Sequence, residues 1–508
     1  MSVANQAWDR LISRFGSPED RVTTVGLSQK EYTDRAALVW LYSSIFWLTV
    51  VDLFGLHLAL SFISPNLFAG IPWLLFSRVR PLHVNGVIFA WLSMMYWGFA
   101  FYALPRLCGT KGMWSERLAY WTAWGWNLFF VLGIVTVANG LTQGREYAEF
   151  IWPLDVFLVV LWFSNVFNVL MTVLNRRVRP LYVVTWWIIA SPIWLGITYI
   201  IGNVMWNPGD NFGIYGVLGG STGNLASGMA DGMVNWWYAH NLFGLWLTPM
   251  LLAGCYYLIP RITSTPLYSH TLSLISFWGM AFLYTGVGHH HLLQTPSPGW
   301  LKTIAILSSV ALLIPVFAFM VNIMMTMRGN WDKFFTNIPL RFALTGFIFY
   351  ILVNIQGSFE ATQTFNQMTH FTNFVVAHAH LALLGAFTFL GMGIIDYVIP
   401  QVLKKPLYSR KAQEWQYWLI LVGFAGFFWS LTIAGILQGQ SWQRGIPEEN
   451  VLPMLGPWFV ARAISGALIV VSGFVQMFNI GMTVFTDTRR KVIKNTSDWA
   501  PPTTEAAA

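Results

Sequence analysis

Three consecutive histidines, His289, His290 and His291, close an apolar segment that begins near Ser273, and Tyr284 stands one to two helical turns before them. Imidazole is a good ligand for copper, zinc or iron, and a histidine run at the end of a membrane helix is expensive to leave unused. Alone, the run could also be interfacial histidines bonded to water and loops. The other seven histidines, His57, His83, His240, His270, His370, His378 and His380, decide between these readings once their depth is known.

Depth requires the elements. The 508 residues are 56% hydrophobic and only 10% charged, against roughly 25% charged in a soluble domain. Apolar runs recur from end to end, so the pattern predicts an all-α polytopic membrane protein embedded in a lipid bilayer. Runs of about 20 apolar residues fall near 37–62, 82–105, 118–138, 151–174, 182–204, 234–259, 270–289, 300–325, 339–357, 372–400, 415–437 and 456–484, giving twelve transmembrane helices. With both termini cytoplasmic, all but six of the 29 basic residues lie on the inner side, the exceptions being Arg78, Arg80, Arg145, Lys302, Arg444 and Arg462. One missed or invented span would scramble that division. The expected organisation is a cytoplasmic arm over 1–36 with no signal-peptide pattern, a twelve-helix domain over 37–484, and a cytoplasmic tail over 485–508.

On this topology the second, sixth and tenth spans start outside, with His83, His240 and the pair His378/His380 near their starts. The seventh runs the other way and ends at His289–His291. All of these residues fall in the outer third of the membrane, a convergence that scattered structural histidines would not show. His378 and His380 are about 200° apart on a helix, so they cannot chelate one ion but can each serve a cofactor on either flank. His83 could supply the second axial ligand to one of two haems. The other haem, facing His240 and His290/His291, would keep an open position beside a three-histidine metal, a pairing suited to electron delivery into a small diatomic ligand. Tyr284, six residues before His290, could give a proton and an electron to a bound oxygen species. Ser273, Tyr257 and Asn322 could carry a chain of waters, although serine and asparagine also serve as helix–helix glue.

Other chemistries find no support. Cys108 and Cys255 are the only cysteines, so there is no Cys-x-x-Cys site, haem c attachment or disulfide framework. No phosphate-binding glycine loop or zinc-hydrolase motif is present. The Gly-rich outer connection 205–233 lacks lysine and arginine and reads as a docking loop. The basic run Arg489–Lys494 is an inner-leaflet flank, and nothing points to nucleic acid.

Taken together, Val79-Arg-Pro-Leu-His83, Gln143-Gly-Arg-Glu-Tyr-Ala-Glu149 with Trp152-Pro153, Trp236-Trp-Tyr-Ala-His-Asn241, Phe282-Leu-Tyr284 with His290-His291, and Val376-Ala-His-Ala-His380 resemble the catalytic subunit of the haem-copper oxidase superfamily, in its cbb3-type branch. The resemblance covers nearly the whole chain. It implies a haem-copper oxidase subunit I-like bundle in a bacterial cytoplasmic membrane. His83 and His380 would hold the low-spin haem b, His378 the high-spin haem b3, and His240, His290 and His291 the copper CuB. Tyr284 falls at the family's tyrosine linked covalently to the first copper histidine, here His240, while His289 is a neighbour and not a ligand. Glu146 would lie near a structural calcium by the haem propionates. The implied partners are membrane-anchored cytochrome c subunits, a soluble or membrane cytochrome c donor, and O2, which is reduced to water with proton pumping.

Two positions depart from the family pattern: Gln356-Gly357 stands where a glutamate precedes glycine, with Glu360 one turn on, and Gln363 stands where lysine is common. A neutral amide cannot take up a proton as a carboxylate does, so either Glu360 substitutes or proton handling differs. The rival activity is nitric oxide reduction, in a related architecture that generally has iron in place of CuB and lacks the linked tyrosine. Tyr284 argues for the oxidase, Gln356 keeps the reductase open, and a transporter or non-catalytic haem subunit is disfavoured by six matched histidines.

Overall fold

The computed structural model describes residues 32–143, 145–204 and 228–486. Most of the 1–36 arm, most of the 205–233 connection and nearly all of the 485–508 tail lie outside the described residues. Twelve helices are long and apolar enough to cross a membrane: α1 (Arg35–Ile63), α2 (Phe76–Cys108), α3 (Glu116–Ala138), α4 (Trp152–Leu174), α5 (Val183–Asn203), α6 (Met229–Thr263), α7 (His270–Leu292), α8 (Gly299–Thr326), α9 (Ile338–Glu360), α10 (Asn373–Leu403), α11 (Arg410–Gln443) and α12 (Glu448–Phe485). Each expected span has its helix. The apolar windows of α2 and α6 are 94% buried, so these two are central, while those of α1, α3, α7 and α8 bury well under half. Their large exposed side chains, among them Trp121, Trp278 and Phe282, face outward as lipid-facing residues do. The contact between α2, α3, α4 and α6 is aromatic: Trp97, Trp126, Trp162 and Trp246 pack edge to face or tilted at 4.7–5.6 Å between ring centroids.

A threefold internal repeat organises the bundle, and it is written in hydrogen bonds. α2, α6 and α10 end alike, at Tyr102-Ala-Leu-Pro105, Tyr257-Leu-Ile-Pro260 and Tyr397-Val-Ile-Pro400. Four residues past each proline the chain turns left-handed, at Gly109 (φ 65°), Ser264 (φ 56°) and Lys404 (φ 54°). Each proline carbonyl accepts from the residue after that turn, which closes the helix end. A serine then caps the next helix: Ser115, Ser269 and Ser409 accept from Leu118, Leu272 and Ala412. One helix further on, Asn168, Asn322 and Asn479 each accept from that serine's N–H and donate to its carbonyl, at 2.8–3.0 Å. Asn322 is therefore a brace with two counterparts in matching positions, which favours the glue reading over the water-chain one.

The repeat also reaches the histidines. α2, α6 and α10 each widen into a π-helical stretch, at Gly86–Leu92, Phe243–Leu247 and Leu381–Thr388. Each stretch opens three residues after a histidine, respectively His83, His240 and His378. π-Bulges redirect the side chains around them and concentrate at functional sites.

Candidate metal centre

At the histidine-bearing end of the bundle, α6 and α7 meet. α7 changes from α-helix to a 3₁₀-helix over Tyr284–Leu292. With three residues per turn, Tyr284, Val287 and His290 share one face. Tyr284 and His290, six residues apart, thus lie on one side through two turns of the tighter helix. His240, His290 and His291 offer ligand nitrogens within 4.8 Å of one another, and among the described residues theirs is the group of three or more metal-ligating side chains. His291 stacks on Trp236 at 4.0 Å and 16°. His240 Nδ1 and His291 Nε2 are 2.9 Å apart. His289 turns away, its Nε2 at 2.9 Å from Ser297 Oγ, and stays a neighbour.

Hydrogen bonding fixes which imidazole nitrogen is free. Ser309 Oγ lies 2.8 Å from His290 Nδ1 and gives its own hydrogen to the Ala305 carbonyl at 2.6 Å. It must therefore accept from Nδ1–H, which leaves the Nε2 lone pair for a metal. Sequence reading missed Ser309, since a lone serine in an apolar helix carries no signal without its partner.

Tyr284 lies against His240, with ring centroids 5.5 Å apart and planes at 25°. The close approach depends on Gly244, where a Cβ would stand 1.7 Å from the tyrosine ring. The phenol is enclosed at 8% exposure.

His83 and His380 form a second site. Their rings are nearly parallel, 16° apart, with centroids separated by 6.4 Å. Two metal–imidazole bonds of about 2 Å each, plus the distance from ring centre to nitrogen on both sides, would span that gap, so the pair is spaced as two ligands of one metal ion would be. His83 Nδ1 donates to the Val51 carbonyl at 2.7 Å and His380 Nδ1 to the Val376 carbonyl at 2.8 Å, so both Nε2 atoms are free. Around the rings runs a largely apolar cavity lined by Leu48, Val84, Val87, Trp91 and Leu383.

His378 points to the other flank of α10, as the helical angle required. Its Nδ1 is 3.1 Å from Gln356 Oε1 and 3.3 Å from Glu360 Oε2. The single Nδ1 hydrogen goes to the Gln356 amide oxygen, while the Glu360 carboxylate one turn on stands beside the same nitrogen without a hydrogen bond of its own among the described residues. Glu146 pairs with Arg80, both lining the cavity beside His83. Calcium takes six to eight oxygens, and the described side chains around Glu146 do not gather such a shell. The neighbouring Glu149 is buried and accepts from Asn85 Nδ2 at 2.7 Å; burial pushes its carboxyl up to about 7.

The fold and the site define a polytopic membrane protein with a cluster of three histidines able to hold a metal ion beside a buried tyrosine, and a cavity holding two parallel histidines in the same bundle. Residues 35–486 match the family described as Cytochrome C and Quinol oxidase polypeptide I, and the chain belongs to that family. Within it the likeness is to cbb3-type subunits. The chain is 30% identical to the cbb3-type cytochrome c oxidase subunit CcoN1 of Stutzerimonas stutzeri, over 89% of this chain and 95% of that one. To a nitric oxide reductase chain of the same organism it is 23% identical, over 82% of this chain and 88% of the other. Its fold matches that of a heme-copper terminal oxidase dimer solved by cryo-EM, with TM-score 0.71 and 14% identity, covering 90% and 85% of the two chains. Twelve apolar helices and bacterial relatives make it a multi-pass protein of a bacterial inner membrane.

Proposed function

We propose that the chain is the catalytic subunit of a cytochrome c-fed terminal oxidase that reduces O2 to water and couples this to proton translocation. The observation that carries the reading is Tyr284 stacked on His240 at the edge of the three-histidine cluster. His83 and His380 are assigned to the low-spin haem b, His378 to the high-spin haem b3, and His240, His290 and His291 to CuB. The geometry fits each group, since the free nitrogens and the ring spacing match what imidazole ligation needs. When bound, the haems and copper supply electron transfer and oxygen activation.

The protein's own part is positioning and proton supply. The Val51 and Val376 carbonyls, Ser309 and Gln356 hold His83, His380, His290 and His378 respectively in the tautomer that leaves Nε2 free. Tyr284 holds a proton at its hydroxyl beside the copper histidines. Behind it, the buried hydroxyls of Tyr350 and Tyr256 have no hydrogen-bond partner among the described residues. Buried orphan hydroxyls of this kind are where ordered water is retained, so protons are supplied to Tyr284 along Tyr256 and Tyr350 from the side opposite the histidines. That side is cytoplasmic in this reading, with both termini on it. Electrons come from membrane-anchored cytochrome c subunits fed by a soluble or membrane cytochrome c. Glu146 is assigned to the ion pair with Arg80 beside the low-spin site.

Metal content and gas uptake test the assignment. The purified complex is assayed for copper and iron and for O2 and NO consumption with reduced cytochrome c. One copper per two haems b in this subunit with fast O2 uptake is expected. A third iron without copper and dominant NO turnover would establish the reductase instead.

A further inference from the structure

One wall of the bis-histidine cavity carries a group that the roles above leave unused. α1 presents Leu48, Asp52, Gly55, Leu56 and Ala59 to the cavity, a single helix face that is apolar except at Asp52. The carboxyl is level with the axial contact. One residue before it, the Val51 carbonyl holds His83 Nδ1. Three residues after it, Gly55 makes room for the His83 ring, which a Cβ would meet at 2.8 Å.

Asp52 Oδ2 is fully enclosed and has no hydrogen-bond partner among the described residues. It is pressed against α12, 3.2 Å from where a Cβ on Gly473 would stand. The charged or titratable groups sharing the cavity are Arg80 and His83 from α2, His380 from α10, Arg462 from α12, and Glu146 and Tyr147 from the α3–α4 connection. Arg80 is taken by Glu146. Arg462 directs its guanidinium over Phe62 and Phe427, at 4.7 and 5.7 Å from their centroids, with Nε unbonded. Among the described residues no cation forms an ion pair with Asp52. A buried carboxylate without compensation is too costly to keep.

We propose that Asp52 is the counter-charge to the oxidised low-spin haem, and that Asp52 and Arg462, acting in opposite senses, set that haem's reduction potential. This rests on the assignment of a haem to His83 and His380. An iron porphyrin held by two neutral imidazoles is net positive at its core when oxidised and neutral when reduced. A carboxylate beside it favours the oxidised form and a guanidinium the reduced form, and the low-dielectric cavity strengthens both effects.

The test is spectroelectrochemistry of the low-spin haem in the purified complex at one fixed pH, for the wild type, Asp52→Asn, Asp52→Glu and Arg462→Gln. Asp52→Asn is expected to raise the reduced-to-oxidised ratio at a given potential at least tenfold, a midpoint shift of about 59 mV for one electron. Arg462→Gln is expected to shift it the other way, and Asp52→Glu to stay near the wild type, all with unchanged low-spin absorption bands. An unchanged midpoint in Asp52→Asn overturns the proposal, as do shifts of the same sign in Asp52→Asn and Arg462→Gln, which mark a general disturbance of the cavity. If Asp52→Asn does not retain the haem, Asp52→Glu decides: normal haem content at the wild-type potential supports the proposal, and haem loss in both marks a packing role and overturns it. A wild-type complex with no bis-histidine haem signature would instead remove the haem assignment itself.

Discussion

His83, His378, His380 and His290 share one device: the Nδ1 hydrogen of each is committed to an oxygen, from Val51, Gln356, Val376 and Ser309 respectively. Ligand geometry at this scale depends on neighbours of no chemical distinction, glycines among them. Gly55→Ala should push His83 off its axis and lower low-spin haem content by more than half, measured by the pyridine haemochrome and the low-spin bands, with the three-histidine site intact. Tyr284→Phe should abolish O2 reduction while both haems stay bound, because no axial ligand is removed; near-normal uptake would reduce Tyr284 to packing. A peptide map of the wild type should show His240 and Tyr284 joined. Glu149 provides a pH test. Its carboxyl is raised from 4.5 to about 7 in the fold, so between those values the folded chain binds more protons than the unfolded one. Stability from this group is therefore full below about 4.5, falls as pH rises, and is gone above about 7. Glu149→Gln should flatten the thermal-stability profile over that window, read by differential scanning fluorimetry in detergent.

At the scale of elements, the three braces formed by Asn168, Asn322 and Asn479 stitch each turn to the helix beyond it. Each side chain makes two hydrogen bonds to backbone groups of a capping serine, and truncation leaves an N–H and a carbonyl without their partner. Each Asn→Ala change should cost about 1–3 kcal/mol, seen as a lower melting temperature of similar size in all three. Turnover per haem separates the brace from a proton-path role for Asn322. Asn322→Ala should slow O2 reduction no more than Asn168→Ala does; a selective loss in Asn322→Ala would return that residue to the proton path. The repeat was present in the sequence as Tyr-x-Leu/Ile-Pro at 102, 257 and 397 and as Asn-x-x-x-Thr at 168, 322 and 479. It passes unread because so few positions recur and each residue is ordinary alone.

At the scale of the whole molecule, the unequal distribution of basic residues makes an orientation that reporters can check. Alkaline phosphatase fused at 64–75 should be active and fused at 109–115 inactive, and the reverse pattern would invert the assigned topology. The number of spans, their approximate limits and the common depth of the histidines were determined by sequence alone. The physical reason is that a bilayer imposes a fixed length and apolarity on every crossing, and charge bias fixes its direction. The convergence of the histidines was likewise legible, because imidazole at one membrane depth is too costly to scatter. Tertiary structure alone decided the rest. The π-helical stretches after His83, His240 and His378 and the 3₁₀ turn under Tyr284 arise from packing, which overrides the local preference for a regular α-helix. The bonds from His290 to Ser309 and from His378 to Gln356 depend on contacts across helices, as does the placement of Asp52 in the cavity. Sequence names the residues on each helix, but only the packing of twelve helices determines which of them meet.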